Sequence, residues 1–126
     1  MGDRANVYVK DESGKGGVYL YTHWGGTDLP LIVQAALKQK KRWGDAPYLA
    51  RIIFCQMVGQ SDFAGEHGYG ISIHMCDNEH PIIVVDCDAE TVGFAHEGKG
   101  PECYQTWPFS EYIALKEGDV LGLYAQ

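Results

Sequence analysis

The chain has 126 residues, of which 45% are apolar and 21% charged; this is ordinary globular composition for a single domain, residues 1–126, and excludes a disordered segment. Ten Lys+Arg stand against 17 Asp+Glu, a formal charge of −7, so extended nucleic acid is not an expected partner. No apolar run approaches the ~20 residues of a membrane helix, and no signal peptide is legible before the first strand-like run; the expectation is a cytoplasmic protein with no membrane partner.

Asn6 to Lys10 reads as a strand, 11–17 as a polar, glycine-rich turn and Val18 to His23 as a second strand, so the pair predicts an antiparallel hairpin. Val18 and Leu20 share one face of it, and Tyr19, Tyr21 and His23 the other. After Trp24-Gly25-Gly26, Thr27 or Asp28 reads as a helix N-cap. Leu29, Ile32, Val33, Ala36 and Leu37 follow at helical spacing, predicting a helix over 28–43 that ends in the cations Lys38 to Arg42 and stops at Gly44. Asp45 caps a second helix over 46–58, stopped by Gly59. Residues 60–68 read as a loop and Tyr69 to Cys76 as a strand. The unbroken apolar run Ile82 to Val85 predicts a central strand covered on both faces. A shorter strand from Glu90 to Ala95, a pairing segment from Cys103 to Trp107, a helical turn at 108–113 and a last strand from Val120 to Tyr124 complete the chain. The pattern is α+β: a mainly antiparallel sheet with two adjacent helices packed on it.

The four cysteines, Cys55, Cys76, Cys87 and Cys103, lack the spacing of a zinc or redox motif and read as small buried hydrophobes. His74 and Cys76 would share a strand face and, with His80 or Cys87, hold zinc, but nothing completes a recognised spacing. No metal or cofactor is expected.

Three polar segments carry the candidate chemistry. Tyr21-Thr22-His23-Trp24-Gly25-Gly26 runs from a strand through two glycines to a helix start. Unpaired N–H groups at a helix start bind phosphate, glycine allows a ligand close to the backbone, His23 offers a donor and Trp24 a stacking face. The plainer alternative is a tight turn with Trp24 in the core, and Asp28 already places negative charge at the helix start. Arg42 and Trp43, with Arg51 one or two turns on, form a second candidate, suited to an anionic or aromatic ligand; the plainer alternative has Trp43 plugging the junction between two helices. Asn78 and His80, beside Asp77 and Glu79, form a third, able to read a ribose or a base edge; the alternative is a polar turn. Residues 38–51 carry five bases and one acid, and residues 60–119 carry twelve acids and two bases, so one basic corner sits on an acidic body. No nucleophile is placed for catalysis: Cys55 lies in an apolar helix, and no serine occupies a nucleophile elbow.

Tyr19-Leu20-Tyr21-Thr22-His23-Trp24-Gly25-Gly26, Arg42 to Ile53 (RWGDAPYLARII), Tyr69-Gly70-Ile71-Ser72 and Asp77 to Asp86 (DNEHPIIVVD) resemble a family of small proteins encoded mainly in bacteriophage and prophage genomes, over roughly residues 6–115. The resemblance implies a phage accessory protein in the bacterial host cytoplasm. Small phage proteins without catalytic residues often counter host defence, and some sequester cyclic nucleotides or cyclic ADP-ribose signals. Tyr21, His23, Trp24, Gly25, Gly26, Arg42, Trp43, Arg51, Asn78 and His80 fit such a site for a small anionic, nucleotide-like ligand in a homo-oligomer. Inhibition of a host protein through the acidic face, and nucleotide hydrolysis or lysis with His23 and His80 as acid and base, are the alternative expectations.

Overall fold

The computed structural model describes residues 2–11, 16–59, 68–98 and 102–125. The described chain runs β1 (Ala5–Lys10), β2 (Gly17–Thr22), α1 (Leu29–Leu37), α2 (Ala46–Val58), β3 (Tyr69–Ser72), β4 (Ile82–Asp86), β5 (Thr91–Ala95), β6 (Gln105–Pro108), α3 (Phe109–Tyr112) and α4 (Glu117–Tyr124). The fold is α+β, with one six-stranded sheet in the order β3-β2-β1-β4-β5-β6. Four neighbouring pairs are antiparallel, but β1 and β4 are parallel, so the sheet is mixed. Two short helices, α3 and α4, join the two expected ones.

The sheet is amphipathic because side chains alternate along each strand. Ala5, Val7, Val9, Leu20, Ile83, Val85, Val92 and Phe94 are buried on one face, and buried residues of all four helices join them in one core. The other face carries Tyr8, Tyr19, Tyr21 and Val84, half-buried, with the Tyr8 and Tyr19 rings 4.6 Å apart. The hairpin β1–β2 forms as its alternation predicts, with Val7 opposite Leu20 and Tyr8 opposite Tyr19.

α2 also forms as predicted. The Asp45 carboxylate accepts from the Tyr48 N–H, and Gly59 at φ 60° ends the helix. α1 is shorter than its predicted span. It ends at Leu37, and Lys40 and Arg42 take left-handed backbone at φ 54° and 59°. That bend seats Trp43 edge-on against Phe109, with ring centroids 5.3 Å apart, and lets its indole N–H donate to the Leu37 carbonyl at 3.1 Å. Trp43 thus plugs the helix junction and gives the Leu37 carbonyl a second donor beside the Lys40 N–H at 3.0 Å. Buried Gln34 ties α1 to the far end of the chain, donating to the Tyr112 and Leu115 carbonyls at 2.9 Å each. The Tyr112 hydroxyl donates back to the Pro30 carbonyl at 2.7 Å.

Three further expectations are corrected. The strand from Tyr69 ends at Ser72; beyond it the His74 N–H turns to Ser72 Oγ at 3.0 Å and the Cys76 N–H to Asn6 Oδ1 at 3.2 Å instead of to a neighbouring strand. β4 is central, but only Ile83 and Val85 are fully buried; the helices cover a single face of it. The segment 120–124 is helical, within α4. Val120 and Tyr124 are buried four residues apart, which one helix face achieves, while Glu117 and Asp119 complement the positive helix start.

The cysteine expectation holds at one position. Cys87 is buried, Cys76 and Cys103 are half-buried, and Cys55 is exposed on α2. His74 and Cys76 lie beyond the end of β3 and share no strand face.

Candidate functional site

The N-terminal residues 2–4 form a strap between two turns that sequence separates widely. On one side the Asp3 N–H donates to the His23 carbonyl at 2.7 Å, and the Gly26 N–H donates to the Asp3 carbonyl at 2.8 Å. On the other side the Glu79 N–H donates to the Arg4 carbonyl at 2.8 Å. The Arg4 guanidinium pairs with Asp77 and Glu79, at 3.1 Å each. The strap therefore brings the 21–26 and 77–80 segments together.

Asp3 holds the junction. Its Oδ2 accepts the Thr27 N–H at 2.7 Å, and its Oδ1 lies 2.5 Å from His80 Nε2. The loose N–H group before α1, which the sequence offers to a phosphate, is thus already occupied by the protein's own carboxylate. Burial pushes the Asp3 carboxyl up. The hydrogen bonds from His80 and Thr27, with the imidazole's charge, outweigh that and hold it below its ordinary value of 3.8. An ionised carboxylate only accepts, so the hydrogen between the two groups sits on His80 Nε2.

That shift fixes a pH dependence. A carboxyl whose pKa is lower folded than unfolded stabilises the fold above its unfolded value. The contribution is lost as pH falls below 3.8 through the folded value. Acid unfolding followed by circular dichroism should therefore show Asp3→Asn less stable than the parent at pH 6, with the gap closing as pH falls below 3.8.

His80 is fixed on three sides. Its ring stacks on Tyr124, with centroids 5.2 Å apart and planes 11° from parallel. Gly26 packs against its edge: a Cβ there would lie 2.7 Å from His80 Cδ2 and 2.5 Å from the Asp3 carbonyl oxygen. Below it, Asn78 Nδ2 donates to the His80 carbonyl at 2.5 Å. His80 faces a cleft of about 630 Å³ that Asn78, Glu79, Pro81, His96, Glu97, Tyr124 and Ala125 also line. His96 is backed by Tyr104, 4.4 Å away and 17° from parallel. Tyr124 is 2% exposed, its phenol is pushed up by burial, and its hydroxyl has no hydrogen-bond partner among the described residues.

Asn6 supports this wall from the sheet. It is fully buried, its Nδ2 lies within 3.2–3.3 Å of the Cys76 and Asp77 carbonyls and of Asn78 Oδ1, and its Oδ1 accepts the Cys76 N–H.

The expected site residues separate into three places. Asn78 and His80 line the cleft, with Gly26 behind His80. Tyr21, His23 and Trp24 form an aromatic cluster beside it. The Tyr21 hydroxyl bonds His23 Nδ1 at 2.9 Å, and Trp24 lies edge-on to His23 at 4.2 Å. Trp24 is 59% exposed and so is no core residue. The Gly25 N–H donates to Thr22 Oγ1 at 3.0 Å, which tightens the turn. Arg42, Trp43 and Arg51 do not join either place. α1 carries the chain about 13 Å away from Gly26 before the bend, where Arg42 pairs with Asp45 at 3.9 Å and lies 4.6 Å over the Tyr48 ring. Arg51 lines a separate cleft with Gln39, Cys55 and Gln56.

Sequence reasoning missed Asp3, His96, Glu97 and Tyr124. His96-Glu97-Gly98 carries the ordinary signature of a turn, Asp3 lies in a polar leader, and Tyr124 sat in a misassigned strand.

Among the described residues no group of three or more His, Cys, Asp or Glu is arranged to hold a metal ion, and no helix is long and apolar enough to cross a membrane. No protein-family model, no curated protein and no solved structure matches the chain.

Proposed function

We propose that the protein is a phage accessory protein that binds a nucleotide-derived host signal in the His80–His96 cleft and withholds it without turnover. The carrying observation is the cleft. At about 630 Å³ it lies within the range of small-molecule sites, roughly 300–1,000 Å³. Its walls combine an imidazole locked by Asp3 and Tyr124, a second backed by Tyr104, and carboxylates that accept from a base or ribose. Among the described residues no serine, threonine or cysteine lines it. Glu79 and Glu97 disfavour phosphate inside, so the base enters and the phosphates stay at the mouth in solvent.

A second reading has one observation in its favour. Asp3 holds His80 through Nε2, the carboxylate–imidazole pairing that orients a histidine for proton transfer. A single experiment separates the two. The full chain is loaded with cyclic mononucleotides, cyclic dinucleotides or cyclic ADP-ribose, passed through gel filtration and denatured, and the released ligand is weighed by mass spectrometry. Sequestration predicts near-stoichiometric intact ligand and a Kd below about 1 μM, or about −8 kcal/mol. Release of a hydrolysed product supports the second reading, and retention of no panel member overturns both.

A further inference from the structure

We infer that the cleft selects its ligand by hydrogen-bond donors and that the base it takes is guanine; this rests on the proposed nucleotide site. Asn78 is spent: its amide donates to the His80 carbonyl and to Glu97 Oε1, and its oxygen accepts from Asn6. It orients Glu97 rather than reading a ligand. His80 Nε2 is spent on Asp3. Glu79 holds Arg4 through Oε1. What remains toward the cleft from Glu79 and Glu97 is acceptor alone, the open lone pairs of two carboxylates.

A ligand that satisfies them must bring adjacent donors. Among the common bases only guanine presents two side by side, N1–H and N2–H₂, which match the two oxygens of one carboxylate in a parallel pair of charge-assisted bonds. Adenine turns the N1 lone pair toward the same carboxylate, and cytosine its N3 and O2. Uracil offers one N–H between two carbonyls. The Asn78 bond, at 3.1 Å, fixes Glu97 from the side and leaves it lone pairs for such a pair. His96, held against Tyr104 at 4.4 Å, supplies a rigid plate on which the purine stacks. A base that turns a lone pair to the carboxylate is disfavoured by that repulsion as well as by the missing donors, so the discrimination is built from both.

The test is calorimetry on the full chain with 3′,5′-cyclic GMP, cyclic IMP, cyclic AMP and cyclic ADP-ribose. The three cyclic monophosphates share sugar and phosphate and differ only in the base edge. Cyclic GMP is expected to bind about tenfold tighter than cyclic IMP, which lacks the N2 donor, and about a hundredfold tighter than cyclic AMP. In Glu97→Gln, with near-ultraviolet circular dichroism unchanged, these ratios should shrink to about twofold because one oxygen becomes a donor. Adenine ligands binding as well as cyclic GMP, or a guanine preference unchanged in Glu97→Gln, would overturn the inference and leave the sequestration reading standing. Binding of none of the four would overturn both.

Discussion

Replacing Asn6 with alanine should cost about 3 kcal/mol of stability and abolish ligand binding together. Asn6 is fully buried, and its amide is the hub on which the 76–78 segment hangs: three acceptors face Nδ2, and one N–H faces Oδ1. Removing it breaks four part-buried hydrogen bonds at once and leaves a cavity where a fully buried side chain stood. The same loss frees Asn78, which positions both the His80 carbonyl and Glu97. Urea unfolding and calorimetry on one preparation measure the two effects. Asn6→Asp should be no rescue, because it keeps the acceptor but sets a carboxylate against two carbonyl oxygens and Asn78 Oδ1. A variant that lost binding at unchanged stability would show that Asn6 contacts ligand rather than supporting the wall.

Phe94→Ala should be the most destabilising single change, at about 3–5 kcal/mol. Phe94 is fully buried on β5, and its ring lies 5.2–6.4 Å from those of Tyr104, Trp107, Tyr112 and Tyr124. Those four residues come from β6, α3, α4 and the segment before β6, so the cavity opens where the C-terminal half of the fold meets the sheet. Tyr124 loses its backing and with it the stack under His80. Phe94→Leu refills most of the space and should cost under about 2 kcal/mol. Denaturant midpoints at constant slope check the order; equal losses for the two variants would contradict the cavity argument.

Local signals were legible where they are strong. The hairpin β1–β2 follows from alternation, and α2 follows from an Asp45 cap, an apolar arc and the Gly59 stop. Ambiguity entered where one spacing serves two periods. Val120-Leu121-Gly122-Leu123-Tyr124 buries residues 120 and 124, which lie on one face of a strand and of a helix alike. α1 ends early because Trp43 needs the bend at Lys40–Arg42 to reach Phe109, a tertiary demand invisible in a run of cations. Half of the site shows the same divide. Asn78 and His80 stand out as polar residues before an apolar strand, but Asp3 acquires its meaning only from a partner 77 positions away. The parallel β1–β4 pairing likewise joins segments with two helices and two strands between them.

Charge misled in a related way. The cations of 38–51 are a local excess, yet the bend and α2 set Arg42 and Arg51 apart from the aromatic cluster at Tyr21–Trp24. The cleft that does assemble is acidic, which shifts the expected contact from phosphate to base.

The most direct measurement is a ¹⁵N–¹H correlation spectrum of the full chain, titrated with cyclic GMP to saturation. The account predicts the largest shifts at residues 78–80, 96–97 and 124, with residues 38–51 unmoved. Shifts concentrated at Lys38 to Arg51, or no shifts at any concentration up to about 1 mM, equivalent to about −4 kcal/mol, would contradict it.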